Sequence, residues 1–259
     1  NNAFEIIMEK EALEAASRLT KPEANNPLWG IPFAIKDNFS VKDVPATASS
    51  NILSGYVPIF NATVVDKLLA KHAILIGKTT LDELAMGGSG TTGHLGKTYN
   101  PYDPSHQRMI GGSSCGSAAV VSGSITPFAL GSDTGDSIRK PASYSGLVGF
   151  KATWGRISRY GLFPFAPSLD HVGYFTRSVY DAASLLNVLA GRDDRDSTSS
   201  FEKVIDFTSA LNEDIKGKKI GIIKEILDSI NDKVIFERFQ QLIFALRNRG
   251  ALVQYVSFP

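Results

Sequence analysis

Gly111-Gly112-Ser113-Ser114-Cys115-Gly116-Ser117 and Gly131-Ser132-Asp133-Thr134-Gly135-Asp136-Ser137-Ile138-Arg139-Lys140-Pro141 flank an apolar segment that runs from Ala118 to Leu130. Clusters of glycine and serine are commonly flexible connectors. Here no proline-rich or charged composition surrounds them, and Ala, Val, Leu and Phe suited to burial lie on both sides. Turns of small residues in such a setting let backbone N–H groups come close to something anionic, which is how an oxyanion site is built.

Residues 117–122 read as a helix and 126–131 as a buried strand. Residues 138–144 read as a short helix beginning at Ser137, with Pro141 accepted in its first turn. Ser137 therefore falls at a strand-to-helix junction, where unpaired N–H groups stabilise negative charge, and it is placed like a nucleophile. Upstream, Trp29-Gly30-Ile31-Pro32-Phe33-Ala34-Ile35-Lys36-Asp37-Asn38 is a short apolar run ending in a polar tip. It carries Lys36 inward, where an ammonium loses hydration and its pKa falls, so that the lysine becomes a base. A lysine at a strand end can also snorkel back to water. Both readings stay open.

Elsewhere Phe4, Ile7, Met8, Ala12, Ala15, Ala16 and Leu19 recur at helical spacing and predict an amphipathic helix over 3–19. Helix is also predicted over 63–71, 81–86, 179–189 and 232–249, and strand over 72–77, 219–223 and 252–256. Such alternation belongs to an α/β fold with parallel strands, and 259 residues are enough for one large domain.

Composition narrows the function classes. The chain is 43% hydrophobic and 20% charged with a net charge of +1, values of an ordinary globular protein with no global field to draw nucleic acid. No apolar run reaches the 18 or so residues of a membrane span. One cysteine forms no internal disulfide, which agrees with a reducing compartment. The chain starts at Asn1 with no signal-peptide pattern and is read as beginning inside a longer polypeptide.

Two nucleotide motifs are imitated. Gly88-Ser89-Gly90-Thr91-Thr92-Gly93 matches G-x-G-x-x-G, but it follows a predicted helix and enters a loop, the reverse of a dinucleotide fingerprint. Gly96-Lys97-Thr98 lacks the glycine that a phosphate loop needs at position 91. Of the four histidines, His72, His94, His106 and His171, none accompanies a nucleophile elbow. Cys115 would need a base, and no pair of His or Cys has metal-ligand spacing. Hydroxyl plus lysine remains, with a second serine able to relay the proton.

These residues resemble the amidase signature family, whose marker is a Gly/Ser-rich stretch with a Ser–cis-Ser–Lys triad. The resemblance implies an α/β fold with a twisted mixed β-sheet core and helices on both faces. Carried over by motif, it makes Ser137 the nucleophile, Ser113 the cis-serine and Lys36 the base. The backbone N–H groups of Thr134, Gly135, Asp136 and Ser137 become the oxyanion donors, and Met86, Gly87 and Ser114 line the substrate. Asp136 and Cys115 stand where the family pattern has glycine. A carboxylate at 136 is compatible with an oxyanion only if it points to solvent or pairs with Arg139 or Lys140.

Within the family, Leu81-Asp82-Glu83-Leu84-Ala85-Met86-Gly87, Gly155-Arg156-Ile157-Ser158-Arg159-Tyr160-Gly161-Leu162, Ser168-Leu169-Asp170 and Gly191-Arg192-Asp193-Asp194-Arg195-Asp196-Ser197-Thr198 are similar to the A subunits of glutamyl-tRNA(Gln) amidotransferases. That similarity implies glutamine as substrate, B and C subunits as partners, and charged tRNA reached only through the complex. It implies no cofactor in this chain, ATP and Mg on a partner subunit, no membrane, and a cytoplasmic or organellar-matrix location. It also implies that residues 1–259 are one amidase signature domain lacking the C-terminal part of the pocket. A stand-alone amidase of small or acyl amides and a catalytically impaired scaffold are the alternatives.

Overall fold

A computed structural model describes residues 1–258. The chain, expected to be one domain, separates into two compact units, Asn1–Thr208 and the residues from Ser209 onward. In the first, β1 (Phe4–Ile7), α1 (Glu9–Ser17), β2 (Pro32–Lys36), α2 (Thr63–Leu69), β3 (Ile74–Thr79), α3 (Cys115–Ser122), β4 (Phe128–Asp133), α4 (Arg139–Tyr144), β5 (Val148–Lys151), β6 (His171–Thr176) and α5 (Val179–Leu189) follow one another. The six strands form one sheet in the order β1-β3-β2-β4-β6-β5. Its interior trio β3-β2-β4 is parallel, and β1, β6 and β5 join antiparallel, so the sheet is mixed.

Alternation along the central strands sorts side chains between two cores. Phe33 and Ile35 of β2, Phe128 and Leu130 of β4, and Val172 and Tyr174 of β6 pack with Val64, Val65 and Leu68 of α2 and Leu185, Leu186 and Leu189 of α5. The Phe33 and Phe128 rings stack with centroids 5.5 Å apart. Ala34, Ala129 and Phe175 point the other way, to Ala118 through Val121 of α3 and Ala142 of α4. All eight residues of α3 are buried, so this helix of small side chains lies flush on the alanines of the sheet. Each large side chain taken from water on either face contributes about 2 kcal/mol. Helices thus cover both faces, as the resemblance implied.

Three local expectations change. Residues 3–19 are not one helix, because Phe4–Ile7 pairs with Gly77–Thr79 as an edge strand and only Glu9–Ser17 is helical. The helical spacing of Phe4, Ile7 and Met8 is a coincidence that the β3 ladder overrides. Residues 81–86 form a single 3₁₀ turn, Glu83–Ala85, with Leu84 at φ +54° instead of a helix. Helix α4 starts at Arg139, two residues after Ser137.

In the second unit β7 (Lys219–Ile223), α6 (Lys224–Asp228), α7 (Lys233–Asn248) and β8 (Leu252–Val256) form a β-α-α-β unit with parallel strands. It has its own core of Ile222, Leu227 and Ile243, which is the physical reason it separates. Asp232 caps α7 by accepting from the Val234 and Ile235 N–H groups. Among the described residues no helix is long and apolar enough to cross a membrane.

Candidate active site

Lys36 is the last residue of β2, and the parallel register that sets Ile35 opposite Leu130 brings it out beside the end of β4. Loops at the carboxyl ends of parallel strands are where α/β sheets gather their ligands. The side chain does not snorkel: Lys36 is 0% exposed. Its Nζ lies 2.8 Å from Ser113 Oγ and 2.9 Å from Ser132 Oγ, and Asn38 Nδ2 donates to the same Ser132 oxygen at 3.0 Å. Burial lowers its pKa from 10.5 to about 7, against the partial opposition of more distant acidic groups including Asp82, Asp133 and Asp170. Lys78, equally buried, is also lowered by burial, but there an adjacent carboxylate opposes the shift. Its Nζ meets the Asp37 carboxylate at 2.7 Å and the Pro45 carbonyl at 2.8 Å, so its charge has a partner. Among the described residues Lys36 Nζ meets only hydroxyls.

The Gly112–Ser113 peptide bond is cis, and Ser113 is fully buried. Its carbonyl accepts from Asp82 N–H. Asp82 organises this side of the site: its carboxylate accepts from the N–H groups of Ser89, Gly90, Thr91 and Thr92 and from the Thr92 hydroxyl. The hexapeptide that imitates a dinucleotide fingerprint therefore spends its amides on a protein carboxylate, not on a phosphate. A Cβ on Gly112 would overlap Asp82 Oδ2, which accounts for glycine there. Gly112→Ala must displace Asp82 from several of its bonds, and we expect it to destabilise the protein by about 3 kcal/mol or more, read as a lower denaturant midpoint.

Ser137, 6% exposed, follows a turn fixed mostly by side chains. Asp133 accepts from Ile138 N–H at 2.9 Å and Lys151 Nζ at 2.8 Å, with the Arg139 guanidinium at 3.4 Å. Burial opposes its charge, yet these donors hold its carboxyl below the usual range. Ser114 N–H donates to the Ser137 carbonyl at 3.2 Å, joining the two serine clusters. The N–H groups of Thr134, Gly135, Asp136 and Ser137 donate to no acceptor among the described residues, and Gly135 borders open space. Four consecutive free amides are a ready anion cradle. Asp136, half-exposed, pairs with Lys140 at 2.8 Å. Its φ is not in the left-handed region, so the Gly-to-Asp departure leaves its amide usable.

Cys115 is inert: buried on α3, it is pushed up to about 11 by burial. Of the residues expected to line substrate, Met86 and Gly87 are exposed, whereas the Ser114 hydroxyl is turned inward and donates to the Ser132 carbonyl at 3.0 Å. Sequence reasoning assigned no role to Asn38, Asp82, Ser132, Asp133 or Asp170. All five lie inside motifs recognised in the sequence, but Asn38 and Ser132 meet partners more than 90 residues away, and the three carboxylates are held largely by backbone N–H groups of nearby loops that no residue type announces. Among the described residues no three His, Cys, Asp or Glu gather as a metal site.

A family model described as Amidase matches residues 1–259. The A subunit of the glutamyl-tRNA(Gln) amidotransferase of Pediococcus pentosaceus is 50% identical over 258 residues, 98% of this chain and 52% of that protein. The crystal structure of the protein of that name from Thermotoga maritima superposes with a TM-score of 0.86 at 41% identity, over 96% of this chain and 57% of that one. Peptide amidase from Stenotrophomonas maltophilia gives a TM-score of 0.87 at 33% identity, over 100% of this chain and 54% of that one. The chain spans about half the length of the curated relatives it matches.

Proposed function

The chain belongs to the amidase family, and from that premise we propose that it hydrolyses the side-chain amide of glutamine and supplies ammonia to a glutamyl-tRNA(Gln) amidotransferase. One observation carries the chemistry: a lysine with no carboxylate partner, closed off from water, 2.8 Å from the Ser113 hydroxyl. The Lys36–Ser113 leg is in place, whereas the Ser137 hydroxyl is bonded to no group among the described residues. In this reading it turns to Ser113 when substrate binds, and Ser137 Oγ attacks the amide carbon while its proton passes through Ser113 to the neutral Lys36 amine. The oxyanion that forms is received by the free amides of residues 134–137. Its collapse breaks the C–N bond, the proton returns from Lys36 through Ser113 to the leaving nitrogen, and ammonia departs. Water then cleaves the glutamyl ester by the same proton route.

High identity to the A subunits of amidotransferases favours glutamine over simple amides, and it is the support for B and C subunits as partners. ATP and Mg act on a partner subunit in this reading, charged tRNA is bound by the complex, and the location is cytoplasm or organellar matrix. The test is turnover by the full-length protein with and without candidate B and C subunits, on glutamine and on a panel of simple amides. Partner-dependent glutamine hydrolysis is expected. Partner-independent cleavage of simple amides with none of glutamine would establish a stand-alone amidase instead.

A further inference from the structure

The turn that carries the four free amides, residues 134–137, is held through the carbonyls of its last three residues: the Arg139 guanidinium donates to that of Gly135, Lys140 N–H to that of Asp136 at 2.9 Å and Ser114 N–H to that of Ser137 at 3.2 Å, and none of these bonds reaches Thr134. Its own N–H groups are unbonded among the described residues, and Gly135 faces open space. Asp133 secures its exit, through the Ile138 N–H and the side chains of Lys151 and Arg139. Its entry is secured from a different segment. Asp170, 4% exposed, accepts a hydrogen bond from the Thr134 hydroxyl at 2.6 Å. The same carboxylate accepts from Phe165 N–H at 3.0 Å and from Ala166 N–H at 3.1 Å, so it is fully satisfied and rigidly aimed. The next residue, His171, is the register partner of Asp133 across β6 and β4, which fixes where Asp170 begins.

We infer that Asp170 is a positioning residue for the oxyanion cradle: by anchoring the Thr134 side chain it sets the direction in which the amides of 134–137 point. This rests on the hydrolytic reading above and assigns a task to the Ser168-Leu169-Asp170 motif, which that reading leaves unused. Its bonds to Phe165 and Ala166 shape its own loop, whereas the one to Thr134 is the bond that reaches the turn. An anion placed so near a developing negative charge would oppose it if its lone pairs were free. Here they are occupied by donors, so the carboxylate serves as an anchor.

Thr134→Val in the full-length protein cuts this bond while leaving the Asp170 loop and its charge untouched, and it nearly preserves volume. With glutamine as substrate, kcat should fall about 10- to 100-fold, with KM within about twofold of wild type, because amides aimed at the oxyanion act mainly in the transition state. A glutamine analogue bearing an aldehyde in place of the amide, whose serine adduct holds an oxyanion, should lose affinity by a similar factor. Thr134→Ser, which keeps the hydroxyl, should restore both. Thr134→Val behaving like wild type, or losing kcat with unchanged aldehyde affinity, overturns the assignment. If instead Ser137→Ala keeps its turnover, the hydrolytic reading itself fails, so the two failures are told apart.

Discussion

Lys36→Met is expected to reduce kcat/KM for amide hydrolysis by about ten-thousand-fold or more, the scale of losing a general base that acts as one unit with its nucleophile. Methionine fills much the same volume without the amine, so the fold should survive. The wild-type pH profile supplies a second reading of the same residue. Only the neutral amine can take the proton, so activity should climb as pH rises through about 7 and then level off. Stability moves in a related way. An exposed lysine in the unfolded chain titrates near 10.5 and Lys36 in the folded chain near 7. Between those values the unfolded state carries a proton the folded state lacks, so stability rises with pH across that window, by up to about 5 kcal/mol. Below it the charged amine is buried without a carboxylate, and the cost is full. Lys36→Met should flatten this slope and be more stable than wild type at pH 6, as chemical denaturation would measure. A Lys36→Met enzyme with wild-type turnover would remove the lysine from the reaction.

What the sequence made legible follows from locality. The glycine and serine clusters, the apolar run into Lys36 and helix 179–189 each announce themselves within a dozen residues, and helix α5 occupies those bounds. The role of Lys36 stayed divided between base and snorkelling cation, since the choice depends on what closes over the strand end. Ser113 and Ser132 come from 77 and 96 residues away to do so. The carboxylates Asp82, Asp133 and Asp170 were unreadable as anchors for another reason: most of their donors are backbone N–H groups of nearby loop residues, which any side chain leaves unmarked in the sequence. A buried acid is recognised by the donors folded around it, and those of Asp170 include Thr134, 36 positions earlier. Residues 3–7 misled in the opposite direction. A helical spacing was present, but an open sheet edge at β3 offered those backbone groups a ladder that the local pattern does not record.

Ser137→Ala should remove at least as much activity as the lysine substitution, and the reason lies in the division of labour at the turn. Without the hydroxyl no ester can form, so water would have to attack the amide directly, guided only by the four amides and the Lys36–Ser113 pair. Residual turnover of this kind in serine hydrolases exceeds the uncatalysed rate by about a thousandfold yet remains far below that of the intact enzyme. The variant should fold normally, because the Ser137 backbone carbonyl keeps its bond from Ser114 and its hydroxyl has no hydrogen-bond partner among the described residues to lose. Hydroxylamine distinguishes loss of the nucleophile from a general weakening. Wild-type enzyme should partition its ester intermediate to the glutamyl hydroxamate, while Ser137→Ala should yield none, even with enzyme in large excess over the detection limit. Hydroxamate formed by Ser137→Ala at a wild-type ratio to glutamate would mean that the acyl group is carried elsewhere, and the whole arrangement of Lys36, Ser113 and the 134–137 amides would need another explanation.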